Sequence, residues 1–133
     1  MMIEVRIVTP QGMYKTFETS ILNVDTIDGQ RGILPNHVPG VTMLKTGVLN
    51  VVENGTDRNY YAVDGGLLYY RDNKAELLVD DILHSSEIDV ERQRAGIEKG
   101  NEMLRTMSDE AGAEEIRKRI RIRENRIKVA GMK

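Results

Sequence analysis

Hydrophobic residues in the first two thirds of the chain follow the two-residue period of β-strands. Ile3, Val5 and Ile7 alternate with polar residues, and β-branched runs such as Val48 to Val52 follow. Turn signals recur about every ten residues, at Pro10-Gln11-Gly12, Asp28-Gly29, Asn54-Gly55, Gly65-Gly66 and Asp72-Asn73. Many short strands at this spacing predict an all-β domain over residues 1–84, a flattened antiparallel β-sandwich or barrel.

The hydrophobic period becomes helical after this region. Val90, Ile97 and Leu104 recur every seven residues, and Ser108 to Gly112 interrupts the pattern before a second helical stretch. The apolar residues of that second stretch fall on one narrow arc: Ala113, Ile116, Ile120, Ile127 and Ala130. Residues 85–133 are therefore predicted to form an α-helical hairpin.

Charge separates the chain into two parts. The net charge of the 133 residues is only -2. Residues 1–116 nevertheless carry 11 basic and 20 acidic residues, a balance of -9, whereas residues 117–133 carry 8 basic residues and Glu124, a balance of +7. Such an asymmetry indicates an acidic partner, a nucleotide, a nucleic acid or an anionic surface near the C-terminus.

Composition and motifs argue against several kinds of site. The chain has no cysteine, which excludes disulfides, thiolate metal sites and a cysteine nucleophile. His37 and His84 are far in sequence from any recognisable nucleophile or ligand set, and no hydrolase, metalloprotease or P-loop motif occurs. We therefore predict no catalytic residue, no metal site and no required cofactor. Without a signal peptide or a membrane-spanning run, an intracellular, soluble protein is expected.

The segment Gly29 to His37 is conformationally restricted. It contains two glycines, and Pro35 and Pro39 fix the backbone on either side of His37. The segment is either a rigid loop that turns the chain or a loop that presents a docking surface.

The two predicted helices carry polar residues that could bind an anion. Asp89 stands at the predicted N-cap of the first helix with Arg92 three residues later, and Arg119, Arg123 and Arg126 form one ridge on the second. These side chains are either solvated or hold an anion. No aromatic residue follows residue 70, so the stacking platform for single-stranded nucleic acid is missing, and an acidic protein surface or a nucleotide fits better.

Five motifs, in this order, carry a resemblance to a known family. They are Ile7-Val8-Thr9-Pro10, Gly32-Ile33-Leu34-Pro35-Asn36-His37, Leu44-Lys45-Thr46-Gly47-Val48-Leu49, Val63-Asp64-Gly65-Gly66-Leu67-Leu68 and Ile88-Asp89-Val90-Glu91-Arg92. Together they resemble the ε subunits of bacterial F-type ATP synthases over essentially the whole chain. The fold of that family is similar to the sandwich and hairpin predicted above.

The resemblance implies a non-catalytic rotor subunit, peripheral to the cytoplasmic face of the cell membrane, that couples proton-driven rotation to ATP synthesis. The sandwich would bind the γ subunit and the membrane c-ring, with Arg31, Ile33 and His37 facing the ring. The hairpin would fold onto the sandwich or extend along γ. When extended, it would restrain ATP hydrolysis by bringing four basic residues towards an acidic segment of a β subunit. These four are Arg119, Arg121, Arg123 and Arg126.

The resemblance also implies ATP as a regulatory ligand of the folded hairpin. The residues that match or neighbour the family's nucleotide motif are Ile88, Asp89, Arg92, Lys99, Arg123 and Arg126. Gln93, Lys99 and Ile122 depart from that motif, and the latter two replace arginines, which removes guanidinium groups from the phosphate site. Two alternatives stay open: a free-standing ATP-responsive module and, less favoured, a nucleic-acid-binding protein.

Overall fold

The computed structural model describes residues 1–132, which form nine β-strands, a short 3₁₀ turn and two α-helices. The strands are β1 Ile3–Thr9, β2 Gly12–Thr19, β3 Leu22–Thr26, β4 Gly29–Ile33, β5 Gly40–Glu53, β6 Asp57–Val63, β7 Gly66–Arg71, β8 Lys74–Val79 and β9 Ile82–His84. The 3₁₀ turn is Ser85–Glu87, and the helices are α1 Val90–Thr106 and α2 Glu110–Ala130. The predicted fold class, an all-β domain followed by a helical hairpin, is confirmed.

The long strand β5 connects the two layers of the sandwich. Its first half, Gly40 to Leu44, pairs with β7, and its second half, Gly47 to Glu53, pairs with β6. The main sheet path runs β2-β1-β8-β7-β5-β3-β4, with β6 joining β5 to β9. The pairing of β1 with β8 is parallel, while the other strand pairs within residues 1–132 are antiparallel. Because β5 contributes to both halves, the sheet folds over one shared core.

The core is mainly aliphatic, as the scarcity of Phe and the lack of Trp predict. Ile3, Val5 and Ile7 are fully buried, which matches their alternation in the sequence. The aromatic members of the core are Phe17, Tyr61 and Tyr70.

Local turn chemistry explains how neighbouring strands are joined. Asp72 and Asn73 lie between β7 and β8 with φ of 51° and 59°, so both adopt the left-handed conformation of a type I′ hairpin turn. Asn and Asp tolerate this conformation better than other residues with a side chain. The four predicted turns that contain glycine likewise lie where one strand ends and the next begins.

Both helices begin at an aspartate N-cap. The side chain of Asp89 accepts a hydrogen bond from the backbone N–H of Arg92, and Asp109 accepts from Ala111 and Gly112. The helices α1 and α2 pack against each other, and α2 also contacts β5 and β6. No helix among residues 1–132 is long and apolar enough to cross a membrane.

Candidate functional site

The contact between helix α2 and the sandwich is the first candidate site. Three residues near the end of α2 carry it: Asn125 and Val129 are buried, and Arg126 is largely buried. The Asn125 amide donates to the backbone oxygen of Gly47 at 2.8 Å. A buried polar group that finds one specific partner fixes the position of a helix more closely than apolar contact does.

The carbonyl oxygen of Gly47 can accept this hydrogen bond because the strand pairing of β5 is irregular at that point. The pairing of β3 with β5 shifts register between Val24 and Thr26. Asp25 then accepts a hydrogen bond from the Val48 N–H at 2.8 Å, and its carboxylate lies against the α-carbon side of Gly47. A Cβ atom at position 47 would lie 2.5 Å from an Asp25 oxygen, so glycine is required.

Arg126 forms ion pairs with two aspartates of the sandwich. One guanidinium nitrogen, Nη2, lies 2.8 Å from Asp64 Oδ2 and 3.2 Å from Asp81 Oδ2. The two aspartates are neighbours because the backbone N–H of Asp64 donates to the Asp81 carbonyl. Burial raises the pKa of Asp64, although the Arg126 charge acts in the opposite direction.

The predicted nucleotide-binding residues have different surroundings in the structure. Asp89 is occupied as an N-cap, and Arg92 is exposed at the start of α1. Arg126 is turned towards the sandwich, where two carboxylates neutralise it. The assignment of Arg126 to a nucleotide site stays a prediction, and in this conformation its guanidinium is paired with carboxylates. Ile88 is half-buried before the helix.

Lys99 and Arg123 instead line a groove of about 300 Å³ between the two helices, together with Arg119. The Arg123 guanidinium donates to Gln93 at 3.1 Å and occupies the space that a side chain at Gly96 would need. The rest of the groove is Gly96, Gly100, Met103, Ile116 and Ile120. The helical glycines therefore allow close helix contact, and the groove is cationic with an apolar base.

The predicted ridge of four arginines is not one surface. Arg121 lies on the opposite side of α2 from Arg123 and is 3.3 Å from Glu114. Arg119 is 3.7 Å from Glu115. Grouping Arg121 with the others is wrong because two residues along a helix turn a side chain by about 200°. Hydrogen bonds from Arg121 and then Arg117 lower the pKa of Glu114. Part of the positive charge of α2 is therefore paired with carboxylates of the same helix.

The restricted segment Gly29 to His37 contains the short strand β4 followed by a loop. Arg31 and His37 are exposed and border a cavity of about 230 Å³. Ile33, predicted to face a partner, is 2% exposed. It pairs with Leu22 in β3 and points into the core, so that part of the prediction is wrong.

An exposed apolar face lies beside this loop. Val41 and Met43 of β5 are more than half exposed, and Tyr69 of β7 pairs directly with Val41. Ile27, also exposed, donates its backbone N–H to the Met43 carbonyl. We call these four residues the apolar face. Exposed apolar side chains grouped in this way are typical of a protein contact.

A polar network inside the sandwich supports the segment that leads to α1. Buried Glu53 lies 2.7 Å from Lys15 and accepts hydrogen bonds from Tyr61 and Asn59. Asn59 in turn lies 2.6 Å from His84 at the end of β9. Burial raises the pKa of Tyr61 above its ordinary value, and the hydrogen bond to Glu53 adds to this. The described residues 1–132 contain no cluster of metal-ligating side chains.

Comparisons with known proteins agree with this architecture. A family model described as "ATP synthase, Delta/Epsilon chain, beta-sandwich domain" matches residues 2–85. The chain is 32% identical to an ATP synthase epsilon chain of Staphylococcus haemolyticus, an alignment covering 98% of both chains. It is 33% identical to that of Anaeromyxobacter dehalogenans, covering 98% of this chain and 99% of the relative.

Two solved structures share the fold. A chain of the Euglena gracilis mitochondrial ATP synthase superposes with a TM-score of 0.80 at 21% identity, covering 93% of this chain and 78% of that one. A chain of the Tetrahymena thermophila mitochondrial ATP synthase, from its central stalk and c-ring, gives 0.65 at 23% identity and covers 96% of both.

Proposed function

Because this chain belongs to the family of ATP synthase epsilon chains, we propose that it is a non-catalytic subunit of the central stalk of a proton-translocating F-type ATP synthase. In this role the sandwich binds the γ subunit and the c-ring and thereby couples proton-driven rotation to ATP synthesis. The chain is then peripheral to the membrane, on its cytoplasmic face, and meets the bilayer through the complex alone.

The apolar face is the observation that best supports a stalk contact. Ile27, Val41, Met43 and Tyr69 expose apolar surface on the outside of a sheet whose other side forms the core. Exposed apolar surface of this kind gains free energy when a partner covers it. Arg31 and His37 lie at its edge and would contact the ring.

Two charges introduced into the apolar face should weaken the binding of γ. We expect Val41→Glu combined with Met43→Glu to weaken binding to γ at least tenfold, because two carboxylates would be buried against apolar surface. Copurification of tagged γ with each variant measures this, and Thr56→Glu, in the exposed β5–β6 turn, is the matched control. Wild-type chain that copurified with no stalk subunit would favour a free-standing ATP-responsive module instead.

We also propose that the hairpin regulates the enzyme by leaving the sandwich and restraining ATP hydrolysis. The contact of α2 with the sandwich supports this, because it depends on a few polar residues, Asn125 and Arg126, that can also pair with water. The exposed Arg119 would then approach an acidic segment of a β subunit, with Arg123 and Arg126, on the same side of α2, following once the hairpin is released.

Neutralising two arginines on this side of α2 should relieve this inhibition. We expect Arg119→Gln with Arg123→Gln to raise ATP hydrolysis by the assembled enzyme several-fold, since the hairpin loses two charge-assisted contacts with the β subunit. Hydrolysis assays on the purified complex give the result. Arg94→Gln, which removes an exposed arginine from α1, is the control. Equal hydrolysis by all three enzymes would contradict the proposal.

ATP as a regulatory ligand is a further proposal, supported by the groove between the helices. Arg126 is paired with carboxylates while the hairpin is docked, so the phosphates would be held by Lys99, Arg119 and Arg123. The apolar base of the groove could accept part of the nucleoside. Asp89 and Arg92 lie at the N-terminal end of α1 and are not among the residues that line the groove.

Calorimetry can test this groove directly. We expect Lys99→Gln to weaken ATP binding to the isolated chain about tenfold, because one of three cations around the phosphates is lost. Lys118→Gln, an exposed charge outside the groove, should leave the binding heat unchanged. Equal affinities for the two variants would exclude the groove as the nucleotide site.

A further inference from the structure

The loop that connects β4 to β5, residues 34–39, is mostly exposed at one end of the sandwich. Leu34 and Val38 are 54% and 76% exposed, and Asn36 and His37 are exposed as well. A loop of this kind gains little stability from burial of its own apolar side chains. Contacts from outside the loop must therefore fix the position of His37 and its neighbours.

The side-chain amide of Asn73, in the turn between β7 and β8, supplies such contacts. Its Oδ1 accepts hydrogen bonds from the backbone N–H of Asn36 at 2.6 Å and from the Tyr70 hydroxyl at 3.0 Å. Its Nδ2 donates to the side-chain oxygen of Asn36 at 3.3 Å. His37 packs edge-on against the Tyr70 ring, with ring centroids 5.4 Å apart. One side chain thus joins the loop to a turn 37 positions later in the chain.

The turn that carries Asn73 is itself held in place. The backbone carbonyl of Asn73 accepts a hydrogen bond from the N–H of Glu4 in β1 at 3.0 Å. Tyr70, which also contacts the amide, is 4% exposed and belongs to the core. The turn is therefore the fixed side of this contact, and the loop is the element whose conformation depends on it.

We propose that Asn73 is a positioning residue, which holds residues 34–39 in the conformation that presents Leu34, His37 and Val38 to a binding partner. This inference rests on the proposed contact between the c-ring and the surface around His37. Without the amide, only a fraction of the molecules would hold the loop in the binding conformation, and the apparent affinity would fall by that fraction. Asn73 acts through the loop and requires no contact of its own with the ring.

Asn73→Gly separates this role from the folding of the turn. Asn73 has φ of 59°, and glycine adopts this conformation freely after an aspartate in a type I′ turn, so the hairpin should keep its stability. Asn54→Gly is the matched control. Asn54 has φ of 53° in the β5–β6 turn, and its Oδ1 accepts the backbone N–H of Glu18 at 3.1 Å. This control loses the same kind of hydrogen bond in a different turn.

NMR on the isolated chain tests whether Asn73 positions the loop. The chain has two histidines, His37 and His84, so the imidazole signals of His37 can be followed individually. We expect Asn73→Gly to move these signals towards those of an unfolded peptide, with the His84 signals and the urea midpoint near wild type. Asn73→Asp, which retains an acceptor oxygen for Asn36 and Tyr70, should preserve the His37 signals. Unchanged His37 signals in Asn73→Gly would overturn the proposal.

Titration of purified c-rings with the complex of γ and each variant tests the consequence for binding. We expect Asn73→Gly to weaken binding about tenfold, as a tenfold smaller fraction of binding-competent loop would do. Asn73→Asp and Asn54→Gly should bind like the wild-type chain. If His37→Ala weakens binding and Asn73→Gly does not, the positioning role is wrong. Binding that neither variant changes would overturn the ring contact itself, and with it this role of Asn73.

Discussion

Gly66→Ala should destabilise the sandwich by about 3 kcal/mol or more, through strain and overpacking together. Gly66 has φ of 147°, a conformation that residues with a side chain rarely adopt. Its new Cβ would overlap the carbonyl oxygen of Leu78 and lie 2.8 Å from the Cα of Val79. Both obstacles are backbone atoms of β8, to which β7 is hydrogen-bonded, so neither can move without breaking strand pairing.

Gly55→Ala is the matched control for this variant. Gly55 also has a positive φ, of 87°, but a Cβ added there would meet no other atom within 4 Å, so strain alone should cost about 1 kcal/mol. Urea unfolding followed by tyrosine fluorescence measures both, because all five tyrosines lie in the sandwich. Equal unfolding midpoints for the two variants would show that the close approach to β8 does not matter.

Lys15→Met should destabilise the sandwich by about 3 kcal/mol, the lower end of what removing one partner of a buried ion pair costs. The side chain of Glu53 is 4% exposed, and Lys15 Nζ lies 2.7 Å from it. Without the ammonium group, the carboxylate would retain only the neutral donors Tyr61 and Asn59. Because Lys15 itself is partly exposed, water can replace some of the lost interaction.

The rescue by a second substitution separates charge from packing. Lys15→Met combined with Glu53→Gln should recover much of the lost stability, since no buried charge then lacks a partner. Lys45→Met, at an exposed position of β5, should change the urea midpoint little. If the double variant is as unstable as Lys15→Met alone, then the loss comes from packing of the lysine stem.

The elements of the fold can be predicted from the sequence because their signals are local. Alternation at Ile3, Val5 and Ile7 marks a half-buried strand, and Asp89 and Asp109 mark helix starts by capping nearby N–H groups. The parallel pairing of β1 with β8 cannot be predicted in this way. It joins residues about seventy positions apart, and no local preference specifies which strands become neighbours.

The candidate site is harder to predict for the same reason. The sequence identifies Arg126 as a site residue, but its partners Asp64 and Asp81 lie 62 and 45 residues earlier in the chain. The local signal for Asp64 is its position beside the Gly65-Gly66 turn, and the local signal for Asp81 is its position between two strands. The prediction for Ile33 is wrong because the glycines around it suggest a loop, whereas the alternation with exposed Arg31 indicates an edge strand with one side buried.

The continuous strand β5 has a mechanical consequence. Val41 and Met43 near its start belong to the apolar face, and Gly47, a few residues later, holds Asn125 of α2. A torque that a rotating partner applied to that face would be transmitted through the covalent backbone of β5 to Gly47, where the hairpin contacts the sandwich. We therefore expect a force on the apolar face to reach the contact between Gly47 and the hairpin through the backbone of β5.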